Sequence, residues 1–102
     1  MEMVKKIVEQ AEDELDGAKS YIKCAMKYKA MYPTIAQSYY EMSMAEMTHF
    51  NTLHDLVVRV INDMKAKGEE IDPTMEAIYE YEHEKMMEKG MKIRVMQEMF
   101  KK

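Results

Sequence analysis

Cysteine is almost missing from this 102-residue chain, where Cys24 stands alone. A single thiol excludes an intrachain disulfide and a cysteine zinc cluster. Glycine (three) and proline (two) are scarce as well, which suits long helices and leaves little room for β structure. No apolar run approaches the length that spans a bilayer, and Met1 to Gln10 is charged throughout and does not read as a signal peptide. A cytoplasmic setting is therefore expected. A broad basic patch is missing too. The net charge is -4 with both signs interspersed, which argues against nucleic acid or an anionic membrane as the main partner.

What the chain does hold is Glu, Lys, Met and Ala in abundance. Its length fits one domain, residues 1–102, near the size where self-association adds useful burial, so a homodimer or larger homo-oligomer is expected. A first helix is predicted from about residue 2 to 30, with Val4, Ile7, Val8, Ala11, Leu15, Ala18, Ile22, Ala25 and Met26 on its apolar face. Tyr32-Pro33 breaks it, and either Thr34 caps the next helix or Pro33 sits in its first turn. That second helix should end near Lys67, before Gly68, and Asp72-Pro73 should cap and open a third that reaches about Phe100. Both connections are short, so the fold class is all-α, with three long antiparallel helices.

The second helix carries the most informative pattern. Its predicted apolar stripe runs Ile35, Tyr39, Met42, Glu46, His49, Leu53, Leu56, Val60, Met64, with the alternating steps of four and three that a buried helix face requires. Two successive positions at its centre are polar. Burying a carboxylate costs on the order of several kcal/mol, or shifts its pKa, unless a charge partner or metal compensates. Glu46 and His49 are three apart, so a carboxylate oxygen and a ring nitrogen can converge on one cation. The alternative is a Glu-His hydrogen-bonded pair that fills a core gap or a subunit interface.

Further ligands come from the neighbouring helices. Glu14 shares a heptad row with Ile7, Tyr21 and Tyr28 at the edge of the first helix's apolar face. Counted from the Tyr32-Pro33 turn, it lies within about one helical turn of the Glu46/His49 level. In the third helix Glu82 falls near the centre of the face built by Met75, Ile78, Tyr79, Met86, Ile93, Met96 and Phe100, while Glu80 and His83 repeat the Glu-x-x-His spacing off that face. The antiparallel neighbour of His49 should be near Met91, which puts Glu82 about 13 Å too far along the helix axis. A partner chain could supply what a single chain lacks.

Fourteen methionines, among them Met42, Met44, Met47, Met86, Met87 and Met91, could suggest thioether ligands. They scatter around their helices, and core and interface filling is the better reading. Cys24 lies off its helix's apolar face and reads as a surface thiol.

The run Tyr39 to Ile61, YYEMSMAEMTHFNTLHDLVVRVI, resembles the second helix of rubrerythrin-like members of the ferritin-like superfamily, which carries a Glu-x-x-His ligand pair amid small and apolar residues. Glu14 followed by Tyr21 resembles the family's first-helix ligand and the tyrosine seven residues on. The resemblance implies iron bound by Glu14 and Glu46, with Glu46 able to bridge two ions and His49 a terminal ligand. It departs in having three helices instead of four and in lacking a rubredoxin-like cysteine module. Encapsulated ferritins resemble this chain in a further way, since two short chains pair there, each giving Glu plus Glu-x-x-His.

The reading is a ferritin-like bundle completed by oligomerisation, holding iron or manganese in a carboxylate/His site that is dinuclear when two chains share it. Its candidate metal ligands are Glu14, Glu46, His49, Glu82 and His83. Redox chemistry there would be ferroxidase or peroxide-consuming, the oxidation of Fe(II) by oxygen or peroxide, with Tyr21 or Tyr39 as nearby hydrogen-bond donors. The competing reading is a metal-free, Met-rich helical interaction module.

Overall fold

Proline and glycine set the two breaks in a chain that is otherwise helical. The computed structural model describes residues 2–102, and these form α1 (Glu2–Tyr28), α2 (Pro33–Ala66) and α3 (Pro73–Lys101), with no strand among the described residues. Pro33 occupies the first turn of α2 and Tyr32 stands at the N-cap without a side-chain cap bond, so Thr34 is not the cap. Gly68, with φ 75°, ends α2 in the left-handed conformation that a side chain disfavours. Asp72 caps α3 by accepting a 2.8 Å hydrogen bond from the Thr74 backbone N–H.

α1 presents Ala11, Ala18 and Ala25 with Leu15 and Ile22 to the core, all of them buried. The alanines let α2 come close, and α1 and α2 share the most extensive contact in the molecule. Ser43 sits inside this contact. Wholly buried, its hydroxyl donates to the Ala18 carbonyl at 2.7 Å and accepts from Gln97 Nε2 at 3.0 Å, so one small polar side chain joins all three helices.

This small-residue contact turns α2 away from the predicted orientation. Its buried residues are Ala36, Ser43, Met47 and Phe50, each one position beyond a member of the expected stripe. Ile35, Met42, His49 and Leu56 are exposed instead, and Glu46 is half-buried at the rim. Glu46 and His49 are therefore not at the centre of a single chain's core. The buried face shifts by one position because Ala36 and Ser43 allow close approach, while Met47 and Phe50 fill the core beside them.

α3 lies along both partners. Phe100 stacks on Tyr40 with ring centroids 4.9 Å apart, Lys29 donates to the Phe100 carbonyl, and Lys89 pairs with Asp16. Met86, Ile93 and Phe100 are buried, while Ile78 of the predicted face is exposed. The result is a rod of 56 × 19 × 18 Å. Its accessible surface is 7155 Å², against roughly 6,000 Å² expected for a compact monomer of this mass. No helix is long and apolar enough to cross a membrane among the described residues.

Candidate metal centre

Glu14, Glu46 and His49 meet at the α1/α2 seam. One ligand-type atom of each lies within 4.8 Å of the others. Glu14 Oε2 is 3.4 Å and Glu46 Oε1 3.7 Å from His49 Nδ1. Two donors bound at about 2.1 Å to one ion stand about 3.0 Å apart at right angles and about 3.4 Å apart at the tetrahedral angle. Small rotamer shifts would therefore close the three atoms on a cation.

Each position has a local cause. Glu46 and His49 are neighbours on successive turns of α2. Glu14 faces them because it lies one position before Leu15, which anchors α1 in the core. Gly17 supplies the space: a Cβ built there would sit 2.8 Å from Glu46 Oε2. Sequence reasoning passed over Gly17, although a glycine inside a long helix, three residues after a candidate ligand, is a signal of close approach.

The electrostatics are those of an under-neutralised carboxylate pair. Glu46 is held above its ordinary carboxyl range by hydrogen bonding toward the Glu14 carboxyl beside it, then by burial, then by the Glu14 charge, with His49 offsetting part of this. Glu14 Oε2 is buried and makes no hydrogen bond, although it stands 3.4 Å from His49 Nδ1, so a buried acceptor is left only partly compensated. The donor set of two carboxylates and one imidazole, with an orphaned buried oxygen, fits a hard or borderline divalent cation. The side chains of Glu14 and Glu46 are 26% and 25% exposed and that of His49 is 59% exposed, so the group opens at the surface.

Tyr21 and Tyr39 pack on each other with centroids 6.2 Å apart, and Tyr28 stacks on Tyr39 at 6.3 Å. They form an aromatic wall in the same α1/α2 seam.

The structure does not bring Glu82 or His83 to this group. Glu82 is half-buried against Glu12 of α1, whose carboxyl is pushed up by burial first and then by its hydrogen bond and repulsion with Glu82. His83 faces His54 of α2, with their Nε2 atoms 2.8 Å apart. Both lie too far toward the start of α3 to reach the level of His49, as the axial count predicts. Cys24 is half-buried and free.

Comparison with known family models, curated proteins and solved structures returns no match.

Proposed function

We propose that this chain is a ferritin-like protein that binds iron or manganese through Glu14, Glu46 and His49, and that two chains pair to share one dinuclear centre. The observation that carries the reading is the convergence of Glu14, Glu46 and His49, with a buried Glu14 Oε2 that makes no hydrogen bond. In this arrangement α1 and α2 run antiparallel, as the pairing of Ala18 with Ser43 and of Glu14 with His49 supports, and α1 and α2 of each chain complete a four-helix enclosure. The exposed residues Ile35, Met42, His49 and Leu56, seven apart on α2, give that pairing an apolar seam with the ligand group at its middle. The excess of surface over a compact monomer supports it as well.

Two copies supply four carboxylates and two imidazoles, a ligand complement suited to a pair of iron or manganese ions. Glu14 and Glu46 hold the cations, and the raised proton affinity of Glu46 makes proton and metal compete for it. His49 is a terminal donor. The aromatic wall and the apolar seam exclude water from the shared face. Bound iron would supply the redox chemistry, oxidation of Fe(II) by oxygen or peroxide. A cytoplasmic location belongs to the same proposal.

The exposed methionines, such as Met31, Met91 and Met99, favour a second reading as a metal-free interaction module. Metal analysis of untagged protein combined with sedimentation at several concentrations separates the two. The proposal expects a dimer that carries iron or manganese; metal-free assemblies that take up neither metal would support the interaction module instead.

A further inference from the structure

A pair of imidazoles lies away from the Glu14/Glu46/His49 group. His54, on α2, and His83, on α3, place their Nε2 atoms 2.8 Å apart. Two nitrogens bound at about 2.05 Å to one ion in adjacent positions at right angles are about 2.9 Å apart. The separation already matches the cis arrangement of two imidazoles. Asp55 Oδ1 stands 3.7 Å from His54 Nδ1, beyond hydrogen-bonding distance but close enough to add negative potential beside the ring.

The surroundings suit a cation. His54 and His83 line a cavity of about 340 Å³ between the second half of α2, the first half of α3 and the start of α1, and Glu80 and Glu84 line the same cavity. Glu80 and His83 repeat the Glu-x-x-His spacing, but among the described residues no carboxylate oxygen joins the two ring nitrogens within 4.8 Å, so the pair itself is the donor set. Lys65, the cation of this wall, is 4.0 Å from Glu76. Nitrogen-rich donors distinguish this group from the oxygen-rich one at the α1/α2 seam.

The geometry points to a second, independent site, in which His54 and His83 clasp an imidazole-seeking divalent ion of the copper(II), nickel(II) or zinc(II) class between α2 and α3, with water in the remaining positions. Binding replaces the hydrogen bond between the rings: the ring that donates it carries its proton on Nδ1 instead, and both Nε2 lone pairs bind the ion. No electron changes hands. Because α2 and α3 touch sparsely, such an ion would fasten the first half of α3 to α2.

The test begins with protein carrying Glu46→Ala and His49→Ala, in which His54 and His83 are the remaining two of the chain's three histidines. Bound Cu(II) should show electron-paramagnetic hyperfine coupling to two imidazole nitrogens, and Zn(II) should bind saturably in calorimetry. Adding His54→Gln or His83→Gln should weaken Zn(II) binding by about tenfold or more. In unaltered protein, Zn(II) should shift the Nε2 resonances of both His54 and His83, a measurement that stands even if the substituted chains misfold. Cu(II) without two-nitrogen coupling, or Zn(II) that leaves both Nε2 resonances unmoved, would overturn the proposal. Either result leaves iron or manganese binding at Glu14, Glu46 and His49 untouched, since that site is titrated separately.

Discussion

Gly17 and Glu46 are in such close contact that a methyl group on Gly17 would lie 2.8 Å from Glu46 Oε2. The carboxylate occupies the space that a side chain on α1 would fill. Gly17→Ala should therefore raise or preserve apo stability, by up to about 1 kcal/mol from helix propensity, because the displaced group is the end of a flexible side chain. It should also weaken Fe(II) or Mn(II) binding by about tenfold, since Glu46 must leave its position beside Glu14. Chemical denaturation and metal titration read the two effects. Unchanged metal affinity in a stable Gly17→Ala protein would remove Glu46 from the site.

Ser43 should matter to stability and not to metal. Its hydroxyl is the shared partner of the Ala18 carbonyl and the buried Gln97 amide. Ser43→Ala strands Gln97 Nε2 in the core, at a cost of about 1 to 3 kcal/mol. Adding Gln97→Leu should recover much of that loss, because it removes the unpaired donor. Urea denaturation of the single and double variants checks the order.

The raised pKa of Glu46 gives the apo protein a definite pH dependence. A carboxyl whose folded value lies above its unfolded value binds more protons when folded, so stability falls as pH rises through the window between the two. That window opens near the ordinary value of 4.5 and extends upward to the raised one. Glu46→Gln abolishes the titration. Its stability relative to wild type should increase as pH rises from about 4.5, the unfolded carboxyl range, toward 7, measured metal-free by thermal or urea denaturation. Metal should weaken or erase the difference in wild type, because the cation replaces the proton, and metal uptake inside the window should release protons.

Helix positions were legible because their signals are local. Pro33, Gly68 and Asp72-Pro73 act within a turn of where they stand, and α1, α2 and α3 start and stop beside them. The rotation of α2 was not legible from the same kind of signal. Apolar size favoured Ile35, Met42 and Leu56 as core, whereas the actual contact is chosen by Ala18 and Ser43, whose hydrogen bond depends on which helix lies opposite. The trio Glu14, Glu46 and His49 was legible despite that error, because axial height and a three-residue spacing survive a rotation of the helix. The His54/His83 pair was missed. Its two members come from different helices, and the only hint in the sequence was the second Glu-x-x-His at Glu80 and His83.

The most direct test of the metal-centre reading is an anaerobic Fe(II) and Mn(II) titration of untagged wild type against Glu46→Gln/His49→Leu, with melting followed at each metal level. The double variant removes the carboxylate charge and the imidazole while roughly keeping volume. The account predicts saturable binding near one ion per chain in wild type, or about two per shared centre. It also predicts a rise in melting temperature with metal for wild type alone, and an apo variant at least as stable as apo wild type. A variant that melts well below apo wild type, with neither protein stabilised by either metal, would contradict it and mark Glu46 and His49 as a structural pair.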